Sequence, residues 1–346
     1  MTHKGLVLVT GANGYLASRT VEALLKAGYS VRGTVRSLKS ATRVKEALSE
    51  YADKLEFVEV PDIAVSGAFD EVVKGVDAVA HLASPVSFDF TDPEPVLRAA
   101  VNGTARALES AEKEPKIKSF VLMSSIAAML QDHEGDYTYT EADWNTTAED
   151  TVSELGKAAP GRVIYAASKV AAEKAMWSFR DEHKPNFTLT AINPVFIVGP
   201  PLVRPTSLDE IQKPNRLVPD VYAGAPLEEA GIKGIWSGWV DVRDVARLVI
   251  FAVERPNEAG GERFLAAAHY APAQAVADIL REEYPERAKA GIIQEGTPGE
   301  GYNPDYRFPP KIVYAGSKAV RATGQNYIPW RQTVLDTVES VKHLFA

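Results

Sequence analysis

The chain has 346 residues, of which 45% are hydrophobic and 24% charged, ordinary globular proportions that exclude disordered, collagenous and coiled-coil classes and allow one large domain or two closely joined ones. Lys and Arg total 38 against 46 Asp and Glu, a net charge of −8, so nothing global draws the chain to nucleic acid or to an anionic membrane. Cysteine is absent, which removes disulfides, thiolate nucleophiles and iron–sulfur chemistry and leaves any redox reaction to a bound cofactor.

Met1-Thr2-His3-Lys4 leads directly into a short apolar run without a signal-peptide pattern, so a cytoplasmic protein is expected. No apolar run reaches the roughly 18 residues of a membrane span. Short β-branched runs at 6–10, 30–35, 55–60, 78–82, 119–123 and 189–192 alternate with amphipathic segments at 15–27, 41–51, 69–74, 95–113 and 163–181. That alternation predicts strand–helix–strand units, an α/β fold built on a doubly wound parallel sheet. After Pro194 the texture changes: Pro200, Pro201, Pro205, Pro214, Pro219 and Pro226 punctuate a stretch without sustained period, which reads as a substrate-covering region. Helical periodicity returns at 242–254, 272–284 and 330–344. The expected division is a cofactor domain over 1–195, with 236–258 returning to it, and a smaller, mainly helical substrate-binding lobe over 196–346.

The first strand runs into Gly11-Ala12-Asn13-Gly14-Tyr15-Leu16-Ala17 and then a helix, the strand–turn–helix context of a dinucleotide-binding turn and of a Rossmann-type sheet. Gly11 permits the tight turn, Gly14 lets the backbone approach a pyrophosphate, and Ala17 lets the helix pack close while its first amides face the anion. After the second strand there is no acid between Glu22 and Glu46; Arg32, Arg36, Lys39 and Arg43 cluster instead. An acid there would hydrogen-bond a ribose 2′-hydroxyl, whereas a guanidinium such as Arg36 can fork onto a 2′-phosphate, so the expected cofactor is NADPH/NADP. Asp62, with Ile63 beside it, is placed to meet the adenine or to make a turn, and Leu82, Ala83 and Ser84 after His81 are placed to line the cofactor.

Tyr165 and Lys169 stand four residues apart in an Ala-rich helical segment and so share one face. A nearby ammonium and an oxidised nicotinamide would favour the phenolate and bring the phenol into range for acid–base work on a carbonyl. Ser124 or Ser125, at the C-terminal end of the fifth strand, can hold the substrate oxygen beside the phenol. The six histidines are scattered without ligand spacing, so no metal is expected. Asp244 reads as a cap or ion-pair partner, and Phe88, Trp236 and Trp239 as candidates for an apolar pocket wall.

These motifs resemble the extended short-chain dehydrogenases/reductases, through Thr10-Gly11-Ala12-Asn13-Gly14-Tyr15-Leu16-Ala17, Ser124-Ser125, Tyr165-Ala166-Ala167-Ser168-Lys169 and Asn193-Pro194-Val195-Phe196-Ile197-Val198-Gly199-Pro200. Within that family the chain is most similar to fungal NADPH-dependent carbonyl reductases and to dihydroflavonol-reductase-like ketoreductases. The resemblance implies that Ser125 orients a carbonyl, Tyr165 protonates it, and Lys169 holds the ribose and lowers the phenol pKa. It further implies that Pro194 and the backbone of Val195, Ile197 and Val198 fix the nicotinamide, and that Asn102 is the family's helix asparagine. The expected activity is reduction of a small-molecule ketone or aldehyde by a monomer or homodimer. The alternatives are a sugar-nucleotide epimerase or dehydratase, against which Ile164 and Arg36 count, and a non-catalytic NADP sensor.

Overall fold

The structure is a computed structural model and describes residues 4–231, 238–299 and 312–345. The chain opens with β1 (Leu6–Thr10), α1 (Tyr15–Lys26), β2 (Ser30–Val35), α2 (Thr42–Ala47), β3 (Leu55–Glu59), β4 (Ala78–His81), α3 (Pro93–Glu112) and β5 (Ser119–Met123). It continues through β6 (Tyr137–Tyr139), α4 (Ala148–Leu155), α5 (Gly161–His183), β7 (Thr188–Pro194), β8 (Phe196–Val198) and α6 (Leu217–Ala223). Next come β9 (Gly238–Asp241), α7 (Val242–Glu254), α8 (Pro256–Ala259), β10 (Arg263–Ala266) and β11 (His269–Tyr270). The last elements are α9 (Ala273–Glu283), α10 (Pro285–Lys289), β12 (Ile312–Tyr314), α11 (Ser317–Thr323) and α12 (Trp330–Val341).

Seven strands form one parallel sheet in the order β10-β7-β5-β4-β1-β2-β3. Helices cover both faces, which is why the central strands read as continuous apolar runs: every residue of β4 and of β5 is buried. Side chains still alternate across the sheet. Val7 and Val9 pack with Val21, Leu24, Val245 and Val249 of α1 and α7, whereas Leu8 packs with Leu108, Phe120 and Met176 on the side of α3 and α5. The strand order reverses between β1 and β4, and the crevice at their C-terminal ends is the ligand position of an open α/β sheet.

Beyond this sheet, β11-β9-β8 make a small second sheet and β12 pairs with β6. A third core of Trp239, Val276, Leu280, Trp330 and Val334 gathers around α6, α9 and α12. The expectation of a mainly helical lobe missed these strands of two to four residues, too short to display a period. Part of the proline-rich stretch also differs from expectation: Leu217, Val218, Val221 and Tyr222 of α6 are buried in the third core, so this segment builds the lobe. The chain returns to the large sheet through α7 and on to β10, farther than residue 258. Residues 69–74, expected as a helix, form turns between Gly67 and Gly75; Phe69, Val72 and Val73 are buried as their spacing suggests, and glycines with φ of 75° and 76° bound the segment on either side. No helix among the described residues is long and apolar enough to cross a membrane.

Candidate active site

The turn after β1 is shaped by what a side chain would strike. Gly11 has φ 65°, and a Cβ on it would lie 3.1 Å from the Ala83 Cα; a Cβ on Gly33 of β2 would lie 2.7 Å from that of Ala12. The turn is therefore pressed between the ends of β2 and β4. Gly14 caps α1 without a side-chain bond, so the helix amides and the positive end of the dipole face the turn, with no acid in the first turn of α1 to balance them. Asn13 and Gly14 are exposed there. The side chains of Tyr15 and Leu16 face elsewhere: the Tyr15 hydroxyl donates to the Gly199 carbonyl at 2.7 Å, and Leu16 packs on the core.

The four cations after β2 separate into two pairs. Arg32 Nε donates to Glu56 at 2.5 Å and its Nη1 to the Val72 and Lys74 carbonyls. Arg43 pairs with Glu210 at 2.9 Å and donates to the Arg204 carbonyl. Arg36, immediately beyond β2, and Lys39 are exposed, and their side chains make no hydrogen bond or ion pair among the described residues. Asp62 makes a turn, accepting from the Ala64 amide at 2.9 Å, and Ile63 packs against Gly103. At the end of β4 the Thr10 hydroxyl accepts from the amides of Leu82 and Ala83 at 3.0 and 2.9 Å and is 3.0 Å from His81 Nδ1. Burial drives the His81 imidazole down to about 3, so it is neutral and its Nδ1 can accept the Thr10 proton. This hydroxyl fixes the path of the Leu82–Ala83 backbone, and Ser84 follows it half-buried.

Ser125, Tyr165 and Lys169 meet at the C-terminal end of β5. Ser125 Oγ accepts from the Ala127 amide at 3.1 Å and stands close enough to the Tyr165 phenol to act on it, and Lys169 Nζ lies 5.9 Å from the Tyr165 ring centre while donating to the Met123 carbonyl at 3.2 Å. Ser124 points the other way, its Oγ donating to Glu173 at 2.5 Å. The two adjacent serines, equivalent in the sequence, thus have different neighbours. Burial lowers the Lys169 ammonium from 10.5 to about 8, with the Glu173 carboxylate opposing the fall. Burial also raises the Tyr165 phenol above its usual range, opposed by the neighbouring Ser125 hydroxyl. Desolvation of the buried ring thus exceeds the help the phenol gets from Ser125. A phenol raised in this way is protonated near neutrality, the state a proton donor needs.

Pro194 ends β7 buried, and the Val195 amide donates to the Ala266 carbonyl at 3.1 Å. Ile197 and Val198 belong to β8, paired with β9. Phe88 stands edge-on to Tyr165 with ring centres 5.3 Å apart and also meets Phe196. Trp239 is buried in the third core, its Nε1 bonded to the Ala271 carbonyl, so of the aromatic candidates it fills core; Trp236 lies outside the described residues. Asp241, not Asp244, caps α7. Asp244 pairs with Arg247 at 2.9 Å. No group of metal-ligating residues occurs among the described residues.

The family model described as "NAD dependent epimerase/dehydratase family" matches residues 7–267. The chain belongs to this family. It is 36% identical to the NADPH-dependent methylglyoxal reductase GRE2 of Saccharomyces cerevisiae, over 85% of this chain and 86% of that one. It is also 36% identical to the ketoreductase azaE of Aspergillus niger, over 82% and 83%. The crystal structure of yeast methylglyoxal/isovaleraldehyde reductase Gre2 complexed with NADPH superposes with a TM-score of 0.83 at 31% identity, covering 98% of this chain and 99% of that one.

In this epimerase/dehydratase family member, one element of the site escaped the sequence reading. Glu173 is fully buried four residues beyond Lys169, on the face shared by Tyr165 and Lys169. A lone carboxylate at that spacing, among Val170, Ala172 and Met176, was the available signal. Its cationic partner, Arg263, is 90 residues away.

Proposed function

We propose that the protein is an NADPH-dependent reductase that converts ketones or aldehydes to alcohols, with Ser125, Tyr165 and Lys169 acting on the carbonyl. The observation that carries the reading is the convergence of Ser125, Tyr165 and the buried Lys169, at the sheet edge that also bears the glycine turn. The names of relatives that reduce methylglyoxal, isovaleraldehyde and ketones support it.

The residues present suit NADPH. The uncapped start of α1, with Gly11 and Gly14 leaving the backbone bare, suits a pyrophosphate; Arg36 and Lys39, free of protein partners among the described residues, suit a 2′-phosphate. We assign the ordered backbone of Leu82, Ala83 and Ser84, with Asp62 and Ile63, to the adenosine side. Pro194, Val195, Ile197 and Val198, with Lys169, are assigned to the nicotinamide side. When bound, the cofactor supplies the hydride for the carbonyl carbon. Ser125 donates to the substrate oxygen and orients it, Tyr165 delivers the proton that the oxygen needs as it gains negative charge, and Lys169 keeps a positive charge close to that developing anion. On this reading residues 1–195, with the return through α7 and β10, hold the cofactor, and the remainder of 196–346 forms the substrate side. The Phe88 ring against Tyr165, with Phe196 packed on Phe88 in turn, favours an apolar substituent on the carbonyl, such as an aryl group.

The test is consumption of NADPH, followed by its absorbance, with a panel of aryl ketones, keto esters, diketones, aldehydes and free aldoses. Turnover should be best with the aryl ketones or keto esters. Tight NADPH binding with no turnover across the panel would contradict the reading and favour a sensor.

A further inference from the structure

Behind Ser125, Tyr165 and Lys169 lies a buried polar cluster centred on Glu173, which is 0% exposed and whose partner Arg263 is 8% exposed. Glu173 Oε1 accepts from Arg263 Nε at 2.6 Å and from Trp177 Nε1 at 3.3 Å. Its Oε2 accepts from Ser124 Oγ at 2.5 Å and from Asn193 Nδ2 at 2.8 Å. Each of these contacts is a donor to the carboxyl oxygens, the pattern of a carboxylate and not of a protonated acid. Asn193 Nδ2 also donates to the Ser125 carbonyl at 3.2 Å. Arg263 is fixed from its far side by the Glu141 and Asp143 carbonyls and by the Trp144 ring, 4.0 Å from its Cζ. One carboxylate therefore ties together α5 and the ends of β5, β7 and β10, holding the Ser124–Ser125 backbone through a side chain and through Asn193.

We infer that Glu173 is a positioning residue for the reduction, fixing Ser125 relative to Tyr165 and holding the charge of Lys169. The inference rests on the reading given under Proposed function. Its electrostatic part depends on what faces Lys169. On α5 these are Tyr165 and Glu173; from the end of β5 comes the Met123 carbonyl; from β4 comes His81, kept neutral by burial and by the Lys169 charge; and Arg263 of β10 stands behind Glu173. Of these, Glu173 is the group that holds the Lys169 ammonium up against burial. Removing the carboxylate should let the lysine lose its proton at lower pH. The alternative is that the ion pair only staples β10 to α5, in which case it would affect stability and leave the pH behaviour of turnover alone.

Glu173→Gln alone leaves Arg263 buried without a counter-charge and can fail to fold for that reason. The deciding variant is therefore Glu173→Gln with Arg263→Met, since a buried pair replaced by neutral residues of similar size is often tolerated. Both proteins would be checked for NADPH binding and for Tm, and kcat for the best ketone would be measured across pH beside the wild type. The inference predicts a folded, NADPH-binding double variant with kcat down about tenfold or more, from misplacement of Ser125, and with the alkaline limb of its kcat profile moved about one pH unit toward acid. A double variant with kcat within about threefold of wild type and an unmoved limb would overturn it. Wild-type turnover measured alongside separates the two levels: an inactive wild type would sink the reductase reading, and this inference with it.

Discussion

Cofactor choice is the point at which one side chain can be removed with least collateral effect. Arg36 is exposed immediately after β2 and makes no hydrogen bond or ion pair among the described residues, so Arg36→Ala breaks nothing in the free protein and should leave Tm unchanged. In the complex it would lose a charge-assisted contact to the 2′-phosphate, worth about 1.5 to 3 kcal/mol when well formed. Exposure to solvent and salt puts the loss at the lower end, about 1.5 kcal/mol, or roughly a tenfold rise in the NADPH KM. The assay is KM for NADPH and for NADH at one saturating ketone. NADH, lacking the phosphate, should change by less than about threefold, and added salt should narrow the difference because the contact is screened. Equal losses with both cofactors, or no change with NADPH, would refute the assignment. Lys39→Ala should give a smaller effect in the same direction, since an ammonium offers a point charge and no fork.

Three further outcomes follow from the same geometry. Ser125→Ala should lower kcat by about 10²-fold, as expected for loss of a donor to a developing oxyanion, whereas Ser124→Ala should act first on Tm, because it strips a buried donor from Glu173 at a cost of about 1 to 3 kcal/mol; kinetics and melting curves on both variants distinguish them. Lys169→Met should lower kcat and also weaken NADPH binding measured by fluorescence titration, which a residue acting only on the phenol would not do. His81 is neutral when folded, at about 3 against 6.5 for an unperturbed imidazole. The unfolded chain therefore takes up its proton first, so the stability His81 contributes is complete above about pH 6.5 and is lost as pH falls toward 3; His81→Gln should flatten that part of the Tm-versus-pH curve.

How far the sequence could be read depended on the range of the interactions that decide each feature. β1 and β5 were legible to the residue because a parallel strand buried on both faces is a near-continuous apolar run closed by a turn. The glycine turn was legible because its meaning lies in neighbouring residues. The segment 69–74 had the right apolar spacing, but over six residues that spacing does not distinguish a run of turns from a helix of the same length such as α2. The strands β8, β9 and β11 are defined by pairing partners rather than by any pattern of their own. The same limit applied to side chains. Arg32 and Arg43 look like Arg36 until Glu56 and Glu210 are brought beside them. Ser124 and Ser125 are adjacent hydroxyls, and only the positions of Glu173 and Tyr165 tell them apart. Glu173 was not singled out, because the chain order says nothing of Arg263, 90 residues away.

The most direct test of the account is Tyr165→Phe, which removes one oxygen and keeps the ring against Phe88. The variant should fold, bind NADPH as the wild type does, and lose kcat for the best ketone by about 10²- to 10⁴-fold, the contribution of a general acid. A folded, NADPH-bound Tyr165→Phe protein that reduces the same ketone within about threefold of the wild-type rate would contradict the assignment of the proton donor.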